Sequence, residues 1–76
     1  MPHVIVKMLP GRTDEQKARL ADAITQALMT TLNSSEASIS VGIEDVAQDQ
    51  WSATVYAPDI TAKWETLYKK PGYQPD

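Results

Sequence analysis

The sequence predicts an α/β (α+β) chain built on one βαβ unit with parallel strands, a sheet completed to four strands across a dimer, and a short C-terminal helix. Three features predict it. A β-branched apolar run opens the chain, a well-capped amphipathic segment follows, and a strictly alternating segment comes after that. Two strands separated by a helix of this length are parallel, and their crossover is right-handed.

Val4, Ile5, Val6, Met8 and Leu9 form the first strand, closed by the Pro10-Gly11 breaker. A strand this near a terminus frays unless it is tied into a sheet. Thr13-Asp14-Glu15-Gln16 then reads as a capping box, and Asp14 and Glu15 place negative charge at the positive end of the helix dipole. Behind the cap, Leu20, Ile24, Ala27, Leu28 and Leu32 recur at helical spacing, widened by Ala21 and Thr31. Glu15, Arg19, Asp22, Gln26 and Thr30 take the polar face, with Glu15 and Arg19 four apart in the favourable order. Asn33-Ser34-Ser35 ends the helix. From Ser38 to Val46 the chain alternates: Ile39, Val41 and Ile43 point one way, Ser40, Gly42 and Glu44 the other. This is a half-buried strand. Trp51 to Ala57 alternates weakly and reads as a short strand or hairpin arm. Pro58 then suits the first turn of a helix carrying Ile60, Trp64, Leu67 and Tyr68 on one stripe, ended by Lys69-Lys70-Pro71-Gly72.

The 76 residues make one domain, 1–76, too small for a generous core. Chains of this size recruit a disulfide, a metal or a partner subunit. There is no cysteine, and one histidine cannot supply a zinc motif. Oligomerisation remains. Two strands and a helix also leave a sheet edge open, which pairing with a second copy would close. The net charge is −3 without a basic stripe, so nucleic acid is not an expected partner. No apolar run approaches the length of a membrane span. Met1 to Lys7 lacks the form of a signal peptide, and a cytoplasmic location is expected.

The chemistry-bearing residues are few. Leu9-Pro10-Gly11-Arg12 is a turn and not a phosphate-binding glycine loop, and neighbouring carboxylates read as solvated surface. Pro2 stands apart. Trimming of Met1 leaves it with a secondary amine on a rigid ring, rooted at the start of a strand. Apolar surroundings or a nearby cation lower the pKa of such an amine toward the range that proton shuttling needs. With Met1 retained, the same nitrogen is a tertiary amide and no base. His3, next in an extended chain, faces away from Pro2 and reads as surface or interface. Tyr56, Tyr68 and Tyr73 read as packing residues.

Pro2, the apolar strand and then Gly11-Arg12-Thr13-Asp14-Glu15-Gln16-Lys17 together resemble the 4-oxalocrotonate tautomerase family. The resemblance runs through the second strand to Trp51, and Lys69-Lys70-Pro71-Gly72-Tyr73 looks like the longer, dimeric bacterial branch. It implies a βαβ fold, an N-terminal proline acting as base and then acid, small enol or keto acid substrates and no cofactor. Pro2 matches the catalytic proline. Arg12 matches an arginine that holds a substrate carboxylate, a task suited to the bidentate guanidinium. Trp51 takes the place of an aromatic that makes the pocket apolar. Ser40 aligns with a second arginine, in the middle of the second strand, that polarises the substrate carbonyl. Serine donates a hydrogen bond without charge, which favours monocarboxylates such as phenylenolpyruvate-like compounds over dicarboxylates; the implied substrate classes are phenylenolpyruvate-like compounds or 2-hydroxydienoates. Lys7, Lys69 and Lys70 are the cations that could stand in for the arginine. The implied activity is cofactor-independent enol–keto interconversion. The alternative, suggested by Ser40, is a non-catalytic dimeric module that binds small aromatic carboxylic acids.

Overall fold

The structure is a computed structural model that describes residues 1–75. Two compact units divide the chain, residues 1–45 and 46 onward. The first is the βαβ unit: β1 (His3–Met8), α1 (Asp14–Leu32) and β2 (Ser40–Asp45). β1 and β2 pair in parallel, with His3 opposite Ser40, Ile5 opposite Gly42 and Lys7 opposite Glu44. The parallel βαβ arrangement is therefore as the sequence predicts. Among the described residues the sheet has two strands.

Each boundary has a local cause. β1 stops before Pro10, which has no N–H for a ladder, and Gly11 turns the chain at φ 127°, a conformation closed to residues with a Cβ. At the start of α1 the Thr13 hydroxyl accepts from the Gln16 N–H at 3.1 Å, while the Gln16 carboxamide oxygen accepts from the Thr13 N–H at 2.9 Å. Both halves of the predicted capping box are formed. Asn33 closes the helix in the left-handed region at φ 57°, where asparagine is among the few residues tolerated besides glycine. Glu15 and Arg19 approach to 3.8 Å, but both are well exposed and contribute a few tenths of a kcal/mol at most.

The sheet has two unlike faces. Val4, Val6, Met8, Val41 and Ile43 are partly covered, on the side where α1 packs against β2. Lys17 of α1 reaches the carboxylate of Asp45 at 2.9 Å and ties the first turn of the helix to the end of β2. Ile5, on the other face, is 51% exposed. The helical stripe is only half covered. Ala21, Ile24 and Leu28 are partly buried together with Lys17, Thr25 and Met29, whereas Leu20, Ala27 and Leu32 are exposed, Leu32 by 57%. The apolar sector predicted for the helix is thus wider than this chain's own sheet can cover.

The second unit departs from expectation. Trp51–Ala57 is not a strand or hairpin arm but part of a wide helix, α2 (Ser52–Thr61), entered through a short 3-10 turn at Gln48–Gln50. Trp51, Ala53 and Val55 fit an alternating pattern, but Trp51 and Val55 are also one helical turn apart, and so short a window cannot separate the two periods. Pro58 is not in the first turn. It lies inside α2, whose wider turns shift the hydrogen bonds from i→i−4 to i→i−5, as Ala62 N–H to Ala57 O shows at 3.0 Å. In an ordinary helix the proline ring would collide with the carbonyl of Thr54, and the wider turn relieves that contact. The predicted stripe of Ile60, Trp64, Leu67 and Tyr68 is broken accordingly: α2 ends at Thr61, a 3-10 turn holds Trp64–Thr66, and Tyr68 is fully exposed. Among the described residues, Val46, Val55 and Tyr56 are the buried apolar ones. No helix among the described residues is long and apolar enough to cross a membrane.

Replacing Thr13 by alanine removes one half of the capping box and should lower stability by about 1 kcal/mol, read from urea unfolding. An unchanged midpoint would show that the box adds nothing to α1.

Candidate active site

The start of β1 meets the start of β2, and this junction brings Pro2, His3 and Ser40 together. The Ser40 N–H donates to the Pro2 carbonyl at 3.2 Å, so Pro2 is held by the ladder although it precedes the strand. On the same residue the Ser40 hydroxyl and the His3 Nδ1 share a hydrogen bond of 2.6 Å. Ser40 therefore grips the backbone of one candidate residue and the ring of the next. Pro2 itself is half-buried, and Met1 is fully exposed at 104%. Losing Met1 would remove no buried side chain.

Ser40 begins β2 and does not stand in the middle of the strand, contrary to the position expected from the resemblance. His3 is exposed, as a surface residue should be, but it is not idle: parallel register puts it beside Ser40. Nothing local in the sequence announces this contact, since the two residues are 37 positions apart. Only the strand register could have revealed it.

Arg12 is not part of this cluster within one chain. Its guanidinium reaches back to the Leu9 carbonyl at 3.5 Å, beyond the far end of β1. Seven residue steps of largely extended chain lead from Pro2 to Leu9, about 23 Å at the usual strand rise. A small acid cannot span that interval.

Trp51 belongs to the second unit and is half-buried there. Its indole N–H donates to the Tyr73 hydroxyl at 2.8 Å, and the Tyr56 hydroxyl donates to the Tyr73 carbonyl at 3.2 Å. The rings of Tyr56 and Tyr73 meet edge to face, 5.5 Å between centroids. These tyrosines do pack, as expected, but they also carry hydrogen bonds that fix the indole through the tail. Lys69 and Lys70 point their amines to carbonyls of their own segment, at Lys70 and Leu67, and Lys70 also lies 5.5 Å from the Trp64 ring. Lys7 sits opposite Glu44, at the other end of β1 from Pro2.

Comparison with known proteins follows the same outline. The family model described as tautomerase enzyme matches residues 2–56. A probable tautomerase from Xylella fastidiosa is 42% identical over 73 residues, covering 96% of this chain and 89% of the relative. Tautomerase PptA from Klebsiella pneumoniae is 46% identical over 74 residues, covering 96% and 97%. Among solved structures, YwhB, a homologue of 4-oxalocrotonate tautomerase, superposes with a TM-score of 0.61 at 50% identity, covering 63% of this chain and 79% of that one.

The hold of Tyr73 on Trp51 can be measured directly. Tyr73→Phe keeps the ring contact and removes the indole partner, at a cost of about 0.5–1 kcal/mol. In a Trp64→Phe background it should shift the emission of the one remaining tryptophan; an unshifted spectrum would mean the bond is not kept in solution.

Proposed function

The chain belongs to the tautomerase family, and on that premise we propose that it interconverts the enol and keto forms of a small 2-hydroxy-enoate or 2-keto acid, with Pro2 as base and then acid. The observation that carries this reading is the Ser40 N–H bond to the Pro2 carbonyl, which holds residue 2 at a fixed place beside a fully exposed Met1. Once Met1 is removed, the secondary amine takes the enol hydroxyl proton. The electron pair of that O–H bond forms the carbonyl, the enol double bond shifts its electrons to carbon, and the ammonium returns the proton there. Withdrawal of such an amine from water would disfavour its charged form and favour the free base. The reaction is balanced without an added cofactor.

Arg12 holds the substrate carboxylate in this proposal, and its place at the far end of β1 requires that it act on the Pro2 of another copy. A homodimer supplies that copy. Exposed Ile5, Leu20 and Leu32 give such a partner apolar surface to cover. The resemblance assigns to Trp51 the apolar wall of the site and to Ser40 a contact with the substrate. A phenylenolpyruvate-like monocarboxylate suits one guanidinium better than a dicarboxylate would.

Pro2→Ala should lower turnover of phenylenolpyruvate by about two to four orders of magnitude, the usual contribution of a positioned acid–base group. If Pro2→Ala turns over as fast as wild type, proline is not the base. Binding that survives unaltered, in a wild type without turnover, would identify a ligand-binding module instead. A second experiment addresses the shared site. Pro2→Ala and Arg12→Ala chains are unfolded together and refolded as a mixture. Half of the dimers are mixed and each has one intact site, so about a quarter of wild-type activity should return. No recovery would place both residues in one protomer's site.

A further inference from the structure

Deprotonating an enol puts negative charge on the substrate oxygen, and that charge needs a donor beside the base. Arg12 is committed to the carboxylate in the reading above, and Lys69 and Lys70 are turned to their own tail. The junction of β1 and β2 offers something else. The Ser40 nitrogen is joined to the Pro2 carbonyl by a 3.2 Å hydrogen bond, so only that bond and the backbone of one residue separate it from the Pro2 nitrogen. The Ser40 hydroxyl is joined in turn to the His3 ring at 2.6 Å.

We propose that His3 and Ser40 form one donor pair that binds the reacting oxygen of a 2-keto acid or its enolate, with His3 supplying the positive charge that serine lacks. The inference rests on Pro2 being the base, but its test does not. The direction of the shared hydrogen bond decides what Ser40 can do. When Nδ1 carries no proton it accepts the Ser40 O–H, and the hydroxyl turns only lone pairs toward a ligand. When His3 is the imidazolium, Nδ1–H donates to Ser40 Oγ. The hydroxyl proton is then released outward as a donor, with a full positive charge one hydrogen bond behind it. A charge-assisted donor of this kind is about twice as strong as a neutral one.

The surroundings leave His3 to govern this switch. On its face of the sheet the other charged groups are Lys7 and Glu44, opposite each other in register and about 13 Å along the strands. The Lys17–Asp45 pair lies on the helix side. Glu36, in the turn before β2, is exposed. Next to His3 along the chain stands the Pro2 amine, free once Met1 is lost. Histidine is the side chain that ordinarily changes charge between pH 5 and 8, and the direction of the shared bond is set by whether Nδ1 carries a proton. Rate alone cannot read this, because the proline base improves in the opposite direction.

The experiment therefore reads binding. Oxalate, a planar dianion shaped like a 2-keto acid enolate, is titrated calorimetrically into Met1-trimmed protein at pH 6 and pH 8. The wild type should bind about tenfold more tightly at pH 6, in line with the strength of a hydrogen bond to a charged group. His3→Asn keeps an Nδ1-like donor without the charge; it should bind about tenfold more weakly at pH 6 and keep only the part of the pH dependence that the N-terminal amine contributes. Ser40→Ala should show the same loss, Ser40→Thr should restore binding, and the double variant should be no worse than either single one, as for residues acting as a unit. His3 and Ser40 are both exposed, so these variants keep the core, and matching circular dichroism confirms it. Oxalate binding by His3→Asn equal to wild type at both pH values would overturn the proposal. Pro2→Ala separates the two claims: it should bind oxalate with the same pH dependence while losing turnover. A Pro2→Ala chain that turns over normally refutes the base and leaves the pair standing only as an oxalate-binding site.

Discussion

Everything at the candidate site follows from one register, the parallel pairing that sets residue 40 opposite residue 3. A strand ladder offers each residue a fixed neighbour, and here the first rung extends one step beyond the strand to hold Pro2 by its carbonyl. Without that rung, the terminal residues would fray and a proline amine would sample solvent freely. With it, residue 2 has a fixed place, which is the first requirement of the acid–base role proposed for its amine. The same register aligns the imidazole with the serine hydroxyl, so backbone geometry and side-chain chemistry arise from a single constraint.

The βαβ unit was legible because its signals are local. A capping box occupies four consecutive residues, a left-handed Asn33 is a short polar residue after an apolar run, and the alternation of Ile39, Val41 and Ile43 needs no distant partner. The site was legible in part. Pro2 and Ser40 could be singled out by position and resemblance, and they do meet. The bond between Ser40 and His3 could not be read, because it depends on which strands pair and in what register. Trp51 and Tyr73 show the same limit, being 22 residues apart in an irregular segment.

The misreading of residues 51–68 has a different cause. Proline is a reliable marker of a helix start only while the helix keeps its ordinary pitch. Once the turns widen, the ring fits inside, and the rule that places Pro58 at a boundary fails. Seven residues with two or three apolar side chains satisfy either period. The apolar stripe on α1 is instructive in the other direction: its pattern was right, but it described more surface than one chain covers. Leu20 and Leu32 belong to that stripe and are left exposed.

The connection between α1 and β2 carries a consequence of its own. It is a compact loop in which the Ser38 and Ile39 N–H groups bond back to Ser35 and Glu36, and the Ser38 hydroxyl to Ser35. Because side chains alternate across a strand, adding or deleting one residue there would carry Ser40 to the opposite side of the sheet, away from His3. Loop length thus fixes which face of the sheet Ser40 occupies, and drift among descendants should spare the span from Asn33 to Ile39 in number even where it alters the letters.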